Sequence, residues 1–233
     1  MAPTSRTTPP GRAGAARGRG PGRPPAGGED KRERILVEAL GLFALHGYAG
    51  TSLADVAQAA EISKPGLLHH FPSKTELFAA VLERRDQQAS TEILDGAGDL
   101  WEALDRWAAL MEDNVAHPEG TALYVALSST AVDAAHPAHD WLIGHLDGAI
   151  DFLRSAVERG QERGTVRADA PAELIARTIV AISDGMQIQW AASRTGRGGA
   201  RTVDPVAETL LVRHLLEDRW RLPAPGDGKG EDA

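Results

Sequence analysis

The sequence predicts an all-helical protein in two parts, a small N-terminal three-helix domain followed by a larger C-terminal helical domain. Three observations carry this expectation. Apolar residues recur at helical spacing from Ile35 to Leu216, and no stretch alternates convincingly with period two. Pro, Gly and capping residues interrupt that pattern at intervals suited to helix ends. The charge also divides. Residues 1–30 hold five arginines against Glu29 and Asp30, residues 31–85 seven basic against six acidic groups, and residues 86–220 eleven basic against twenty-two acidic. A mildly basic front thus precedes an acidic body within a net charge of −8, which points to two parts with different partners.

Taken in order, residues 1–28 contain no Leu, Ile, Val, Phe, Tyr or Trp and read as a disordered basic arm, either a solvated tail or one that touches DNA. Gly18-Arg19-Gly20-Pro21-Gly22 has no strand before it and no helix placed after it, so it is not a nucleotide loop. From Glu29 a helix presents Ile35, Leu36, Ala39, Leu40, Leu42 and Phe43, and Gly47 stops it. Thr51-Ser52 offers the next N-cap, with Asp55 three places after Ser52 as a variant of the capping box. A short second helix runs from Leu53 to about Ala60. Ser63 caps a third, where Pro65 is tolerated because first-turn N–H groups have no helical partner. Pro72 ends that helix after Phe71, and Ser73 caps a fourth that begins at Lys74. Longer helices are expected near 98–116, 119–133, 138–163, 171–194 and 204–219. The expected division is an arm over 1–28, a domain over 29–82, a second domain over 83–220 and a loose tail over 221–233.

Composition narrows the function. The chain has no Cys, which removes disulfide scaffolds, thiol catalysis and Cys-ligated metals. No apolar run approaches the ~20 residues of a membrane span, and the Arg-, Pro- and Gly-rich start is no secretory signal. A cytoplasmic protein without a membrane partner is expected. GxSxG, HExxH and phosphate-loop motifs are absent, so neither an enzyme nor a cofactor is expected. His136, His139 and His145 lack ligand spacing, and no metal site is expected.

Two short helices joined by a tight turn and flanked by longer ones form a helix-turn-helix pattern, a weak signal on spacing alone. The residues strengthen it. Arg34-Ile35-Leu36, Ala39-Leu40, Leu42-Phe43, Gly47-Tyr48, Thr51-Ser52, Asp55-Val56-Ala57, Ile62-Ser63-Lys64, Leu67, His69-His70-Phe71, Ser73-Lys74 and Leu77 resemble, in order and spacing, the N-terminal domain of tetracycline-repressor (TetR) family regulators. The resemblance covers about 31–82, and Asp184 to Trp190 is similar to a segment of the penultimate helix in many members. It implies a transcriptional regulator, more specifically a ligand-responsive repressor that binds a palindromic operator as a homodimer. The alternative is a helical small-molecule-binding or interaction protein with weakened DNA binding. Two departures stand out. Glu61 occupies a turn position where members usually have Gly, and because Glu tolerates positive φ poorly the turn has room for another conformation. Leu68 stands where members often have a phosphate-binding Tyr.

The third helix would enter the major groove with its N-terminal residues nearest the bases. Lys64 can reach phosphate or guanine, Gly66 permits close approach, Leu67 can meet a thymine methyl, and His69 and His70 can donate to bases or phosphate. Thr51, Ser52 and Ser63 offer hydroxyls at helix N-termini, although Thr51 and Ser63 serve equally well as caps alone. Lys74, Arg32 and Arg34 are expected on the backbone, while Phe43, Tyr48, Phe71 and Phe78 read as core. Val206, Leu210, Leu211, Leu215 and Leu216 supply an apolar stripe for the dimer interface that the family builds from its last two helices. All five Trp lie beyond residue 100, and Trp107, Met111, Tyr124, Trp141, His145, Ser183, Asp184, Met186, Gln187 and Trp190 are the candidates for a ligand pocket between helices.

Overall fold

The computed structural model describes residues 26–90, 96–194 and 202–223. Nine helices are seen among them: α1 (Ala26–Gly50), α2 (Leu53–Ala59), α3 (Lys64–His70), α4 (Lys74–Ser90), α5 (Leu100–Ala116), α6 (Pro118–Thr130), α7 (His139–Glu162), α8 (Ala172–Ser193) and α9 (Pro205–Trp220). Residues 1–25 of the expected arm and residues 224–233 of the expected tail lie outside the described residues. Two boundaries shift. The first helix reaches back to Ala26, because the first turn of a helix asks nothing of its leading N–H groups. Arg221 and Leu222 are not loose. The Leu222 N–H bonds the Thr165 carbonyl (3.1 Å), the Arg167 N–H bonds that of Trp220 (2.9 Å), and Arg221 bridges Val166.

Local chemistry sets the helix ends. Gly47 breaks α1 with φ 70°, ψ 173°, a backbone shape open to glycine. The capping box of α2 is complete: Ser52 Oγ accepts from Asp55 N–H, and Asp55 accepts from Ser52 N–H. Ser63 caps α3 by accepting from Gly66 N–H (3.2 Å). Glu61 adopts φ 53° and makes the turn itself, so the turn does not take another conformation. The Ile62 N–H holds it there, bonded to the Ala57 carbonyl at 2.9 Å.

Two cores result. The first gathers Ile35, Leu36, Phe43, Val56, Leu67, Phe71 and Phe78 of α1–α4 with Leu123 and Leu127 of α6. Phe43 and Phe78 meet edge to face at 4.8 Å, and Tyr48 packs on Phe78 at the same distance. The helix-turn-helix unit is therefore seated on α6 through continuous apolar packing. The second core joins α5, α7 and α8 through Leu100, Leu104, Met111, Leu153, Val157 and Ile179, and Val206, Val212, Leu216 and Trp220 of α9 pack against it. Helix α4 runs unbroken from one core toward the other, crossing residue 82.

Candidate nucleic-acid interface and ligand cavity

The capped α2–turn–α3 unit displays an outer surface. Ser52, Ser63, Lys64, Pro65, Leu68 and His69 are exposed, and Gly66 and His70 are half-buried. A Cβ at Gly66 would lie 3.2 Å from Ser63 Oγ, so the small residue also protects the cap. Arg32 and Arg34 are exposed on α1, where the Arg32 guanidinium lies 5.1 Å from the centre of the Phe71 ring. The Lys74 ammonium sits 4.3 Å over Tyr48, whose hydroxyl is 3.0 Å from Thr75 Oγ1. Together these residues form a cationic, hydroxyl-bearing surface beside a short helix, chemistry suited to duplex phosphate and base edges.

Two expected DNA contacts face the other way. Thr51 is 2% exposed, and its hydroxyl donates to the carbonyls of Leu42 (3.1 Å) and Gly47 (3.0 Å), closing the break in α1. Leu67 is fully buried; it lies one turn from Phe71 and shares its inward face. That i, i+4 pair was available in the sequence, and it leaves Leu68 and Pro65 as the outward apolar groups.

The second site is a cavity of ≈ 340 Å³ among α4–α8, within the range that holds small organic ligands. Trp107, Met111, Tyr124, His145, Ser183, Asp184 and Gln187 line it, as expected. Met186 and Trp190 are buried but outside its wall. Met186 points about 110° away from the mean direction of the lining residues of α8, whereas Trp190 shares the direction of Ser183 but stands two turns further along the helix. Trp141 is also outside the wall. It supports the site from behind, stacked on His145 at 5.4 Å.

Sequence reasoning missed Arg85 and Asp86, which bring the C-terminal part of α4 into the wall. Arg85 Nη1 donates to Asp86 Oδ1 (3.0 Å) and is 3.5 Å from His145 Nε2. His145 Nδ1 lies 3.4 Å from Asp86 Oδ1, and Trp141 Nε1 donates to Asp86 Oδ2 (2.6 Å). An imidazole carrying its proton on Nδ1 satisfies both neighbours. Burial pushes the Asp86 carboxyl up, but His145, Arg85 and Trp141 together outweigh it and hold the group below the usual carboxylate range. Asp184 behaves oppositely. Burial raises it, and the Tyr124 hydroxyl, which donates to Oδ1 at 2.7 Å, offsets only part of the rise. Burial and the adjacent Asp184 raise Tyr124 in turn. The Trp107 indole N–H donates to Ser183 Oγ (2.8 Å), while Gln187 Oε1 is buried with no partner.

His136 and His139 are structural. His136 packs edge-on to Tyr48 and Phe78, and His139 Nδ1 bonds the Ala131 carbonyl at 2.9 Å. No helix among the described residues is long and apolar enough to cross a membrane.

Residues 35–81, the helices that carry the basic surface, match the model of bacterial regulatory proteins of the tetR family. The HTH-type transcriptional repressor AcnR of Corynebacterium glutamicum is 25% identical over 184 residues, 79% of this chain and 94% of that protein. The A-factor receptor protein of Streptomyces griseus is 28% identical over 186 residues, 78% of this chain but 61% of its own length. Among solved structures, a TetR transcriptional regulator from Chloroflexus aurantiacus shares the fold with a TM-score of 0.69, at 20% identity over 84% of this chain and 99% of that one. The helix-turn-helix unit is thus similar to the DNA-binding part of tetR-family bacterial regulatory proteins, and the helical body shares the fold of such regulators.

Proposed function

We propose that this protein is a ligand-responsive repressor: two copies bind a palindromic operator, and a small molecule in the α4–α8 cavity changes their affinity for it. One observation carries the reading. Helix α4 begins beside α3, with Lys74 over Tyr48, and its Arg85-Asp86 pair stands in the cavity wall. A ligand that favours one position of Asp86 relative to α7 therefore favours one position of the DNA-reading unit, which is the differential binding that coupling requires. The Streptomyces relative is a receptor protein, which agrees with ligand control. Lys64, Gly66, His69 and His70 would read the groove, and Ser52, Ser63, Lys74, Arg32 and Arg34 would hold phosphate. Such a regulator works in the cytoplasm, with duplex DNA, a second copy and the effector as partners.

Selection from a random duplex pool, followed by affinity measurements at several salt concentrations, tests this. A palindromic winner whose affinity falls steeply with salt is expected. Lys64→Ala should weaken the winner by about 1–3 kcal/mol and relax one base position. An absence of enrichment at low salt would favour the alternative of a ligand-binding protein with weakened DNA binding, to which the exposed Leu68 would contribute.

A further inference from the structure

We propose that the cavity takes an N–H-bearing organic cation, a protonated amine on an apolar body, with its ammonium seated between Asp184 and Gln187 of α8. This rests on the cavity being the effector site. The wall's unmet demand is for donors and positive charge. Gln187 is 7% exposed and its Oε1 has no partner, a buried acceptor that a bound donor would satisfy. Asp184 stands one turn away on the same face and, among the described residues, has no cation within ion-pair distance. Its one hydrogen-bond partner is the Tyr124 hydroxyl.

The positive group already in the wall does not answer that demand. Arg85 has Asp86 as its counter-ion at 3.0 Å, and its guanidinium lies against the rings of Tyr124 (5.0 Å) and Trp141 (5.8 Å). Against Asp86 and Asp184 the wall sets one guanidinium, that of Arg85. Three nearby donors are engaged, the Trp107 indole on Ser183, the Tyr124 hydroxyl on Asp184 and the Trp141 indole on Asp86, which leaves the neutral amides of Asn114 and Gln187 as donors in the wall. An anion would meet Asp184 with no free cation to receive it. A quaternary ammonium would answer the charge but leave Gln187 Oε1 without a proton. Leu110, Met111, Leu146, Ala149 and Val180 make much of the remaining wall apolar beside the Asn114 amide, which fits a hydrocarbon or aryl body.

Isothermal titration calorimetry on the full chain, with phenylethyl and n-octyl bodies each carrying –NH3+, –N(CH3)3+, –OH or –CO2−, tests the assignment. The primary ammonium should bind at least tenfold more tightly than the alcohol or carboxylate of the same body. Asp184→Asn should remove most of that advantage, and Gln187→Leu should narrow the preference for –NH3+ over –N(CH3)3+. If the carboxylate binds best, or alcohol and ammonium bind alike, the cation assignment falls while the effector site stands. If no probe binds, both fall. The ranking on the unmutated chain decides the charge class even if either variant does not fold.

Discussion

Glu61 is the one non-glycine residue with positive φ among the described residues. Left-handed backbone costs an L-residue about 1–2 kcal/mol, and glycine avoids that cost while adding entropy to the unfolded chain. Glu61→Gly should therefore stabilise the protein by a net ~0.5–1 kcal/mol, read as a higher denaturation midpoint at unchanged slope. A lower midpoint would mean that the Glu61 side chain contributes more than its backbone costs. Thr51 presents the reverse case. Thr51→Val keeps the shape but takes the donor from the Leu42 and Gly47 carbonyls, so a loss of about 1–3 kcal/mol is expected. Operator affinity per folded molecule should not change, which separates a structural threonine from a phosphate ligand. The two neighbours differ in legibility for a physical reason. The Ser52 cap depends on residues three places away and could be read locally, whereas Thr51 answers to carbonyls of the preceding helix whose position only the fold determines.

At the scale of elements, the polar groups of the cavity wall on α4 and α8 give a pH signature with two opposite signs. The Asp86 carboxyl is held below its ordinary range, so the folded state releases that proton more readily than the unfolded chain. Its stabilisation is present above the unfolded carboxylate pKa and is lost as pH falls through the lower folded value. The Asp184 carboxyl is raised, so its ionisation opposes folding above the folded pKa and ceases to do so below the unfolded one. Asp86→Asn should accordingly lower stability at pH 7 and flatten the acid-side loss. Asp184→Asn should raise stability at pH 7, with the gain fading toward acid. Denaturation midpoints taken from pH 7 down to pH 4 check both, and shifts of the same sign would refute the assignment. This cluster also marks where reading the sequence stops. The helices themselves were legible to within a few residues because caps, Pro and Gly punctuate them. The cavity wall is built by five helices at once, and Arg85-Asp86 looks like any charged turn until α4 is laid against α7. Tyr124 and Asp184 could be picked as polar-tipped groups in apolar stretches, but their pairing across sixty residues could not.

On the whole molecule, α8 and α9 have two faces each. The Val180–Gln187 side of α8 lines the cavity, while Leu174, Ile182 and Ile188 on the same helix are exposed. On α9, Val206 and Leu216 pack inward on the second core, while Leu210, Leu211 and Leu215 face out. Val206 and Leu216, both half-buried, thus stand on the core side of the proposed dimer stripe. Apolar residues on both sides of one helix spelled a single stripe in the sequence, and only packing against α5 separates them. Leu211 and Leu215, 58% and 61% exposed, remain as the centre of an apolar patch of the kind that marks association. The double change Leu211→Glu with Leu215→Glu should leave the fold intact, since neither side chain is in the core, and yield a monomer by light scattering. Each freed head would then bind its half-site without the other, losing the effective concentration that tethering supplies, so operator affinity should fall by about 10²–10⁴-fold. Affinity for an isolated half-site should not change, which distinguishes lost tethering from a damaged reading helix. A variant that remains dimeric would move the interface off α9. The same variant also tests the coupling. In a monomer there is no spacing between heads for a ligand to alter, so a cavity ligand should still bind but should no longer change affinity for the half-site.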